Sequence, residues 1–372
     1  MDAQKHPKDR APSVIGLGFV VLDLVFSRSS EYAPTWAVGG SCGNVTSILS
    51  FLGWSTTVAS LIGNDVAGDM LDTELTSLGV DTSFLIKGNP ATTPIVVQHN
   101  SRTASGDREH IFSFQCPYSG TQLPRFRPYP TKHVISLVEH STDWDVLYID
   151  RATPAATLMA REMRAAGGLV VFEPTSEAEL TREPSLLQHV QIVKFSGSQI
   201  PKTSPSLSNE LAALQICTHG PQGLSYRLKG GQWRHLPPFA ADHIEDSAGS
   251  GDWVTASFID GFYNTCSNDP NCLSDESIVD ILSTGQRRAA ENCAYAGARG
   301  LMEAYASPCT PSLDVSSPMP HKLATRKYLP RNIAFTELTQ KRPYFPRYRA
   351  SSYRVTPILS HHHMGRPIPT SG

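Results

Sequence analysis

The sequence predicts an α/β fold, a doubly wound and mostly parallel sheet with a small β lid. Three observations lead to this prediction. Apolar runs rich in Val, Leu and Ile alternate with segments whose apolar residues recur at three- and four-residue spacing. Most of the apolar runs end at a polar or glycine-rich turn, which is typical of strands buried on both faces of a parallel sheet. One stretch, residues 92–118, breaks this alternation and has the pattern of a hairpin.

The N-terminal elements follow the alternation. Residues 14–26, VIGLGFVVLDLVF, form a nearly continuous apolar run that predicts one buried strand. Residues 43–53 and 65–79 have helical spacing and end on glycine, which is a helix stop signal. In residues 92–118, two strand-like segments flank the polar loop SRTASGDR, so a hairpin with a long loop is predicted there.

The alternation of strands and helices returns at Trp144. The strand patterns are, in order, DVLYI, GLVVFEP, HVQIVKF and LQICTHG, and each ends at a polar or glycine-rich turn. Helices are predicted over residues 154–166, from about 252 to 263, and over 275–298. Beyond this point Pro, Ser, His and Arg accumulate without periodicity. We therefore expect one domain over residues 13–308.

The bulk properties indicate a globular protein. The chain has 372 residues, 40% of them apolar, which is enough to bury a core. Its start, MDAQKHPKDRAP, lacks a signal peptide's apolar centre, and no stretch approaches the ~18 apolar residues of a membrane span. We expect a cytoplasmic protein with no membrane partner and a flexible segment over residues 1–12. Seven scattered cysteines without CxxC spacing predict reduced thiols and neither a disulfide framework nor a zinc site.

The charge is distributed unevenly between the body and the C-terminal tail. From His321 onward 10 Lys and Arg residues stand against one acid, and before it 22 stand against 33. We interpret residues 309–372 as a basic, Pro-rich and poorly ordered tail, and favour a solvated extension over a segment that binds nucleic acid. The triplet at residues 361–363, HHH, lacks the further ligands of a metal site.

The segment DSAGSGD, residues 246–252, carries the clearest chemical signal. It precedes the helical pattern WVTASFIDGFY. Three small residues at a helix N-terminus let backbone N–H groups converge on an anion, and the helix dipole adds about half a positive charge. Asp252, in the first turn, could accept a hydroxyl proton as that hydroxyl attacks phosphorus. The simpler alternative is that the segment only caps the helix.

A second pair of segments adds to this signal. These are VGGSCGNVTSILSFLG, residues 38–53, and LIGNDVAGDMLDTELTSLGVD, residues 61–81. Together with Asp23 and the DSAGSGD motif, they resemble the PfkB family of carbohydrate kinases, which has the ribokinase-like fold. The resemblance covers about residues 14–305. It implies an ATP-dependent phosphotransferase that acts on a hydroxyl of a sugar, a polyol or a nucleoside.

The resemblance assigns roles to individual residues. For substrate hydroxyls it implies a carboxylate, two turn glycines and an amide, which can offer acceptors and a donor: Asp23, Gly39, Gly40 and Asn44. For phosphoryl transfer it implies Asp252 as the base and an anion hole formed by Gly249, Ser250 and Gly251, where Ser250 stands in place of the usual Ala. For the nucleotide it implies the following positions: Lys194, Thr218, Gly220, Gly223, Asp246 and Asn292.

The chain departs from the family pattern where the family organises magnesium. Ser196 and Gln199 stand in place of the usual Asn and Glu. Mg²⁺ is still expected beside ATP, with Glu173 of FEPTS as the candidate ligand, and a monovalent cation is a further possibility. The resemblance also predicts a lid from residues 27–37 and 92–118, whose edge strands could pair two subunits into a homodimer.

Three other functions are weighed against this interpretation. GLGFVV, residues 16–21, has Val21 where a dinucleotide-binding motif needs its third glycine, and no P-loop motif occurs. GGSCG, residues 39–43, fits the nucleophile elbow of a serine hydrolase, with Ser41 as the nucleophile. The absence of Glu at position 199 also allows a catalytically silent protein that binds a sugar or a nucleotide.

Overall fold

The computed structural model describes residues 10–27, 34–102, 108–241, 243–305, 327–328 and 338. All of them belong to one compact unit, Met1–Lys341. The strands are β1 Ser13–Leu17, β2 Val21–Ser27, β3 Thr35–Gly39, β4 Ser55–Gly63, β5 Val80–Asp81, β6 Leu85–Gly88, β7 Ile95–Arg102, β8 Arg108–Ser113, β9 Val146–Ile149, β10 Leu169–Phe172, β11 Ile192–Ser196, β12 Leu214–Thr218, β13 Leu224–Leu228, β14 Arg234–Leu236 and β15 Lys327–Tyr328. The helices are α1 Ser41–Phe51, α2 Val66–Ser77, α3 Val134–Glu139, α4 Pro154–Ala165, α5 Glu177–Arg182, α6 Pro184–Leu187, α7 Ser250–Cys266, α8 Asp275–Asn292 and α9 Gly300–Tyr305.

The main sheet confirms the predicted architecture. Its strand order is β14-β13-β12-β11-β10-β9-β1-β4-β5, with β6 also paired to β4. The pairs β12–β13 and β13–β14 are antiparallel and the others are parallel. Along β1, Val14 belongs to one hydrophobic cluster, and Ile15 and Leu17 belong to a second. The sheet is therefore buried on both faces, as its continuous apolar runs predict.

A second sheet forms the lid, in the order β15-β3-β2-β7-β8. The prediction of one strand over residues 14–26 is wrong, because β1 lies in the main sheet and β2 in the lid. The chain passes between the sheets at Gly18, where a Cβ atom would lie 1.8 Å from Oδ1 of Asp150. An apolar run cannot reveal this change of sheet, since both strands are apolar.

The two faces of the lid sheet have different surroundings. Leu22, Leu24 and Val97 belong to the large hydrophobic cluster of the domain. In the register of the sheet, Asp23 pairs with Ala37 on β3 and with Val96 on β7, so these three residues share the opposite face. The face that carries Asp23 is therefore turned away from that cluster.

The cysteine prediction needs a correction. Cys266 and Cys272 form a disulfide between the end of α7 and the turn that follows it. The prediction of reduced thiols holds for the other described cysteines, which are Cys42, Cys116, Cys217 and Cys293. The two bonded cysteines are six residues apart, and the turn between them brings them together in a way that their spacing alone does not show.

Only short parts of the C-terminal tail are described. β15 pairs with β3 at the edge of the lid, and Leu338 is buried in the large hydrophobic cluster. The other tail residues, including the His triplet at 361–363, lie outside the described residues, as do residues 1–9 and most of the predicted lid segment 27–37. Among the helices that the structure describes, none combines the length and apolar character needed to span a bilayer.

Candidate active site

Asp252 lies in the first turn of α7 and is almost entirely buried. The residue before the helix, Gly249, has the left-handed conformation with φ 73°. A Cβ atom at Gly249 would also lie 2.5 Å from Cα of Ala298, so both the backbone angle and the packing require glycine. The first-turn N–H groups of Gly251 and Asp252 have no intrahelical acceptor, which leaves them available to an anion.

Asp23, Gly39 and Gly40 lie together where β2 meets β3. A Cβ atom at Gly39 would lie 1.9 Å from Oδ2 of Asp23, so this carboxylate occupies the space that a side chain would need. Gly40 has φ 79°, and a Cβ atom there would lie 2.3 Å from the backbone oxygen of Phe19. These glycines let α1 begin directly beside the Asp23 carboxylate.

Asn44, on α1, connects this region to Asp252. Its Nδ2 atom donates a hydrogen bond of 2.8 Å to Oδ2 of Asp252. The side chain of Ser41 also hydrogen-bonds to Asp252. The structure therefore brings together the two segments that were separated by about 200 residues in the sequence.

Arg299 fixes the orientation of the Asn44 amide, and the sequence analysis missed it. Its Nη1 atom donates to Oδ1 of Asn44 at 2.5 Å and to the backbone oxygen of Val38 at 2.6 Å. Its Nη2 atom lies 3.2 Å from Oε1 of Glu74. Because an arginine only donates hydrogen bonds, Oδ1 of Asn44 faces Arg299 and Nδ2 faces Asp252. The only sequence signal was a charged residue between the small residues of GARG.

Lys194 and Glu173 form a buried ion pair below the start of α7. Nζ of Lys194 lies 2.5 Å from Oε1 of Glu173 and donates to the backbone oxygen of Gly251 at 3.2 Å. Oε2 of Glu173 accepts hydrogen bonds from Tyr148 at 3.0 Å and from Thr255 at 2.7 Å. The pair therefore supports the anion hole from below, and its lysine charge is largely matched by the glutamate.

The pKa values of the buried carboxyls are raised. The pKa of Asp252 is raised to about 7, mainly by burial and next by the charge of Glu173, while Lys194, Asn44 and Ser41 oppose the change. Burial likewise raises the pKa of Asp23 to about 7, with Arg299 opposing the change and Asp252 adding to it. The charge of Asp252 thus disfavours the ionised form of Asp23.

Glu173 does not fit the predicted role of a magnesium ligand. Both of its oxygens are taken up by protein donors, one of them the ammonium group of Lys194. Mg²⁺ needs free oxygen ligands in near-octahedral geometry. Over the described ranges, no group of three or more His, Cys, Asp or Glu side chains is placed to hold a metal ion. The departure at Ser196 and Gln199 thus has no substitute among these carboxylates.

The predicted nucleotide turn lies where β12 ends. Thr218 is the last residue of β12, and Gly220 and Gly223 flank the short turn after it with φ 56° and 88°. A Cβ atom at Gly223 would lie 2.3 Å from the backbone oxygen of Leu236, so the chain passes closely there. Thr218 pairs with Ser196 across β11, which places this turn beside the strand that carries Lys194.

Asp246 and Asn292 are placed to position the anion hole. Oδ1 of Asp246 accepts from the backbone nitrogen of Ala248 at 2.9 Å, and Oδ2 accepts from that of Gly297 at 2.9 Å. Asn292 is fully buried, with Nδ2 3.3 Å from the backbone oxygen of Ala248 and Oδ1 accepting from Leu301 at 3.0 Å. The side chain of Asn292 is thus enclosed by protein backbone, and its role at the nucleotide stays a prediction.

The structure does not support Ser41 as a hydrolase nucleophile. The strand before it, β3, lies in the lid sheet, whereas a nucleophile elbow follows a strand of the main sheet. The hydroxyl of Ser41 is next to the Asp252 carboxylate. Ser41 therefore belongs to the surroundings of Asp252, and the hydrolase alternative is wrong.

Comparison with known sequences finds a matching family profile and several relatives. The profile of the pfkB family carbohydrate kinase matches residues 31–304. A fructokinase of Escherichia coli is 26% identical over 272 residues, which cover 67% of this chain and 84% of the fructokinase. An aminoimidazole riboside kinase of Salmonella typhimurium is 26% identical over 289 residues, which cover 72% of this chain and 84% of that kinase.

Solved structures share the fold. A fructokinase of Xylella fastidiosa with bound ATP superposes with a TM-score of 0.58 at 20% identity, covering 77% of this chain and 93% of that one. A ribokinase of Arabidopsis thaliana complexed with ribose and ATP gives a TM-score of 0.57 at 16% identity, covering 77% and 94%. At these identities the likeness concerns the arrangement of strands and helices.

Proposed function

Because this chain belongs to the PfkB family of carbohydrate kinases, we propose that it transfers the γ-phosphoryl group of ATP to a hydroxyl of a sugar, polyol or nucleoside, with Asp252 as the general base. Membership makes the chain a kinase of the sugar and nucleoside class. The assignment of ATP draws on the fructokinase and ribokinase structures that contain it. The residue roles come from the family resemblance, and the geometry of the site supports them.

One observation carries the proposal: a buried carboxylate lies in the first turn of a helix whose N–H groups face outward beside it. Asp252 is oriented by Asn44, and its pKa of about 7 lets it accept a proton near neutral pH. As the substrate hydroxyl loses its proton to Asp252, its oxygen bonds to the γ-phosphorus, and the bond to the bridging oxygen of ADP breaks. The N–H groups at Gly251 and Asp252 then stabilise the charge on the phosphoryl oxygens.

The substrate side of the site is proposed to consist of Asp23, Gly39, Gly40 and Asn44. Asp23 lies on the lid face that is turned away from the large hydrophobic cluster, and its carboxylate can accept hydrogen bonds from substrate hydroxyls. Asn44 has a second amide hydrogen beyond the one it gives to Asp252, which can bind a substrate oxygen. Closure of the lid would exclude water, which competes with the substrate as phosphoryl acceptor.

The nucleotide side is proposed to lie at the turn formed by Thr218, Gly220 and Gly223. The glycines permit backbone approach to phosphate oxygens. Lys194 acts from below by placing Gly251 and by lowering the pKa of Asp252, rather than by direct contact with a phosphate. Mg²⁺ enters as part of the Mg–ATP substrate, since Glu173 is committed to Lys194. A potassium ion is present in a double mutant of Vibrio cholerae fructokinase, and a monovalent cation stays a prediction for this chain.

A homodimer through the lid also stays a prediction. β8 is an edge strand of the lid sheet, and its residues Ile111 and Phe112 are 47% and 59% exposed. Exposed apolar residues on an edge strand favour association with a second copy. Light scattering across a range of concentrations would measure the mass, with Phe112→Lys expected to shift it towards the monomer.

The proposed transfer is tested by ADP release from Mg–ATP with a panel of sugars, polyols and nucleosides. Asp252→Asn removes the proton acceptor and should lower the turnover about 10²- to 10⁴-fold. Asp280→Asn makes the same chemical change on an exposed residue of α8 and should leave turnover unchanged. Turnover by Asp252→Asn equal to that of the unaltered protein would refute the role of Asp252. Binding of ATP without transfer to any acceptor would favour the catalytically silent alternative.

A further inference from the structure

Arg151 follows the end of β9 and has a position that the proposed mechanism does not use. Its guanidinium carbon lies 4.7 Å from the ring centroid of Phe19 and 5.8 Å from that of Phe126. Its side chain is 17% exposed, so the group is largely desolvated but still reached by solvent. Two aromatic rings hold the planar group while leaving donors at its edge.

The neighbouring acid does not fully neutralise this arginine. Asp150 is completely buried, and its two oxygens accept backbone hydrogen bonds from Phe19 at 2.8 Å and from Cys42 at 3.1 Å. Nη1 of Arg151 lies 3.6 Å from Oδ2 of Asp150, longer than a hydrogen bond, and donates to the backbone oxygen of Asp150 at 2.6 Å. The Asp150 carboxylate therefore holds the start of α1. Among the described contacts, the other N–H groups at the edge of the Arg151 guanidinium have no hydrogen-bond partner.

The position of Arg151 is at the substrate side of the site. Phe19 packs with Val21 and Val96, and Phe126 packs against the same group. Val96 is the register partner of Asp23, so this apolar group lies on the lid face that carries the Asp23 carboxylate. Cys42, which Asp150 holds, follows Ser41, whose side chain contacts Asp252. Arg151 is thus beside the cleft between the lid and α1.

A second arginine reinforces the positive charge of this region. Arg125 lies over the ring of Phe114, with its guanidinium carbon 5.1 Å from the centroid. Phe114 packs against the same apolar group as Phe126. Two cations on aromatic rings, near the lid face that carries Asp23, make this end of the cleft suited to a negative charge.

We infer that Arg151 binds an anionic group, a carboxylate or a phosphate, carried by the acceptor substrate. The inference rests on the proposed function and narrows its substrate class to acidic sugar-like compounds. The reacting hydroxyl would lie at Asp252, and the anionic group would meet the free edge of Arg151 in a bidentate contact. A neutral sugar would leave this largely desolvated cation with only the distant Asp150 carboxylate as a charged partner, which disfavours its binding.

The test compares acceptors in matched pairs that differ by one anionic group: a polyol against the corresponding sugar acid, and a sugar against its monophosphate. With the unaltered protein, kcat/KM from ADP release should be higher for the anionic member of at least one pair. In Arg151→Gln, the ratio of kcat/KM for anionic over neutral acceptors should fall about 10- to 150-fold, the range for hydrogen bonds to charged groups. Arg151→Lys should fall between the two, because it keeps the charge and loses the bidentate geometry.

Arg161→Gln is the matched control, since it removes the same charge from an exposed site on α4 and should leave the ratio unchanged. A binding measurement runs in parallel: the anionic acceptors should raise the melting temperature of the unaltered protein and not that of Arg151→Gln. Whichever anion is preferred, the sugar acid or the monophosphate identifies the group.

The inference is overturned if the neutral member of every pair is preferred, or if Arg151→Gln lowers stability without changing the ratio. Those outcomes leave the proposed function intact, because transfer to neutral acceptors would still be observed. If no acceptor is phosphorylated, the proposed function fails, and the melting measurement alone decides whether Arg151 binds an anion.

Discussion

Asp252→Asn should make the protein more stable at alkaline pH while it removes activity, and this combination tests the electrostatic account of the site. The carboxyl of Asp252 has a folded-state pKa of about 7 against an ordinary value of 3.8. A group whose folded pKa is raised stabilises the fold when it is protonated, and this contribution is lost as the pH rises through the folded pKa. Asparagine at this position does not titrate, so the variant avoids the loss.

The size of the effect follows from the pKa values. At pH 5 Asp252 is protonated in the folded protein and mostly ionised in the unfolded chain. Between pH 5 and the folded pKa of about 7, the unaltered protein loses about 1.36 kcal/mol of stability per pH unit, which is about 3 kcal/mol in total. Above this pKa the loss levels off. For a domain of this size the melting temperatures of the two proteins should diverge by roughly 5 °C over that range.

The assay is thermal unfolding of both proteins at several pH values from 5 to 8 in a common buffer series. The melting temperature of Asp252→Asn minus that of the unaltered protein should increase steadily with pH. Asp280→Asn, which alters an exposed carboxyl, should show no such trend. A difference that is independent of pH, or that decreases as the pH rises, would show that the Asp252 carboxyl is not held in a desolvated state.

Three further substitutions test the surroundings of the base. Arg299→Gln frees the Asn44 amide to turn its oxygen towards the base and removes a charge that lowers the pKa of Asp23; kcat/KM at pH 6 should fall about tenfold, with its pH profile displaced upward. Gly249→Ala should lower the free energy of unfolding by more than the roughly 1–2 kcal/mol that its left-handed backbone alone would cost, because the new Cβ also meets Ala298. Gly167→Ala is the control, since Gly167 has a positive φ but open space around it. Lys194→Met should lower the free energy of unfolding in denaturant titration by about 3–5 kcal/mol, and adding Glu173→Gln should restore much of it, because the single change leaves a buried charge unpaired; full stability of the single variant would contradict the buried pair.

The sequence contains most of the fold because hydrophobic periodicity is a local property. Helices α1, α2 and α4 lie within about two residues of the predicted ranges, and Asp65 caps α2 by accepting from Gly68. The hairpin over 92–118 appears as β7 and β8. The hydrophobic pattern does not reveal that the chain leaves the main sheet after β1 and enters the lid sheet at β2. This passage occurs at Gly18, which packs against Asp150, a residue far along the chain.

The candidate site also contains residues that short motifs predict and residues whose surroundings only the folded structure shows. Gly249, Gly39 and Gly40 belong to short motifs that the sequence shows directly, although the atoms that exclude a Cβ at Gly249 and Gly39 come from Ala298 and Asp23. The complete burial of Asn292 could not be predicted, because a polar residue in an amphipathic helix is usually exposed, and here the adjoining turn covers it. Burial is decided by the packing of other segments, and a single sequence window does not contain that information.

The charged residues around the base show why the chemistry of a kinase site needs the folded structure. Asp23, Glu74, Asp252 and Arg299 come from four distant segments, and the other three alter the pKa of Asp23 only after folding brings them together. This cluster contains three acids and one base. The pKa of Asp252 is raised to about 7 chiefly because its carboxyl is buried, and the charge of Glu173 adds to the change while Lys194 opposes it. A site with this excess negative charge should repel an anionic acceptor unless a cation outside the cluster compensates. Arg151, which lies on the aromatic side of the cleft and is only partly matched by Asp150, provides that compensation at a distance from the base. The two ends of the cleft thus have opposite electrostatic character, and this would orient an acidic acceptor with its hydroxyl towards Asp252.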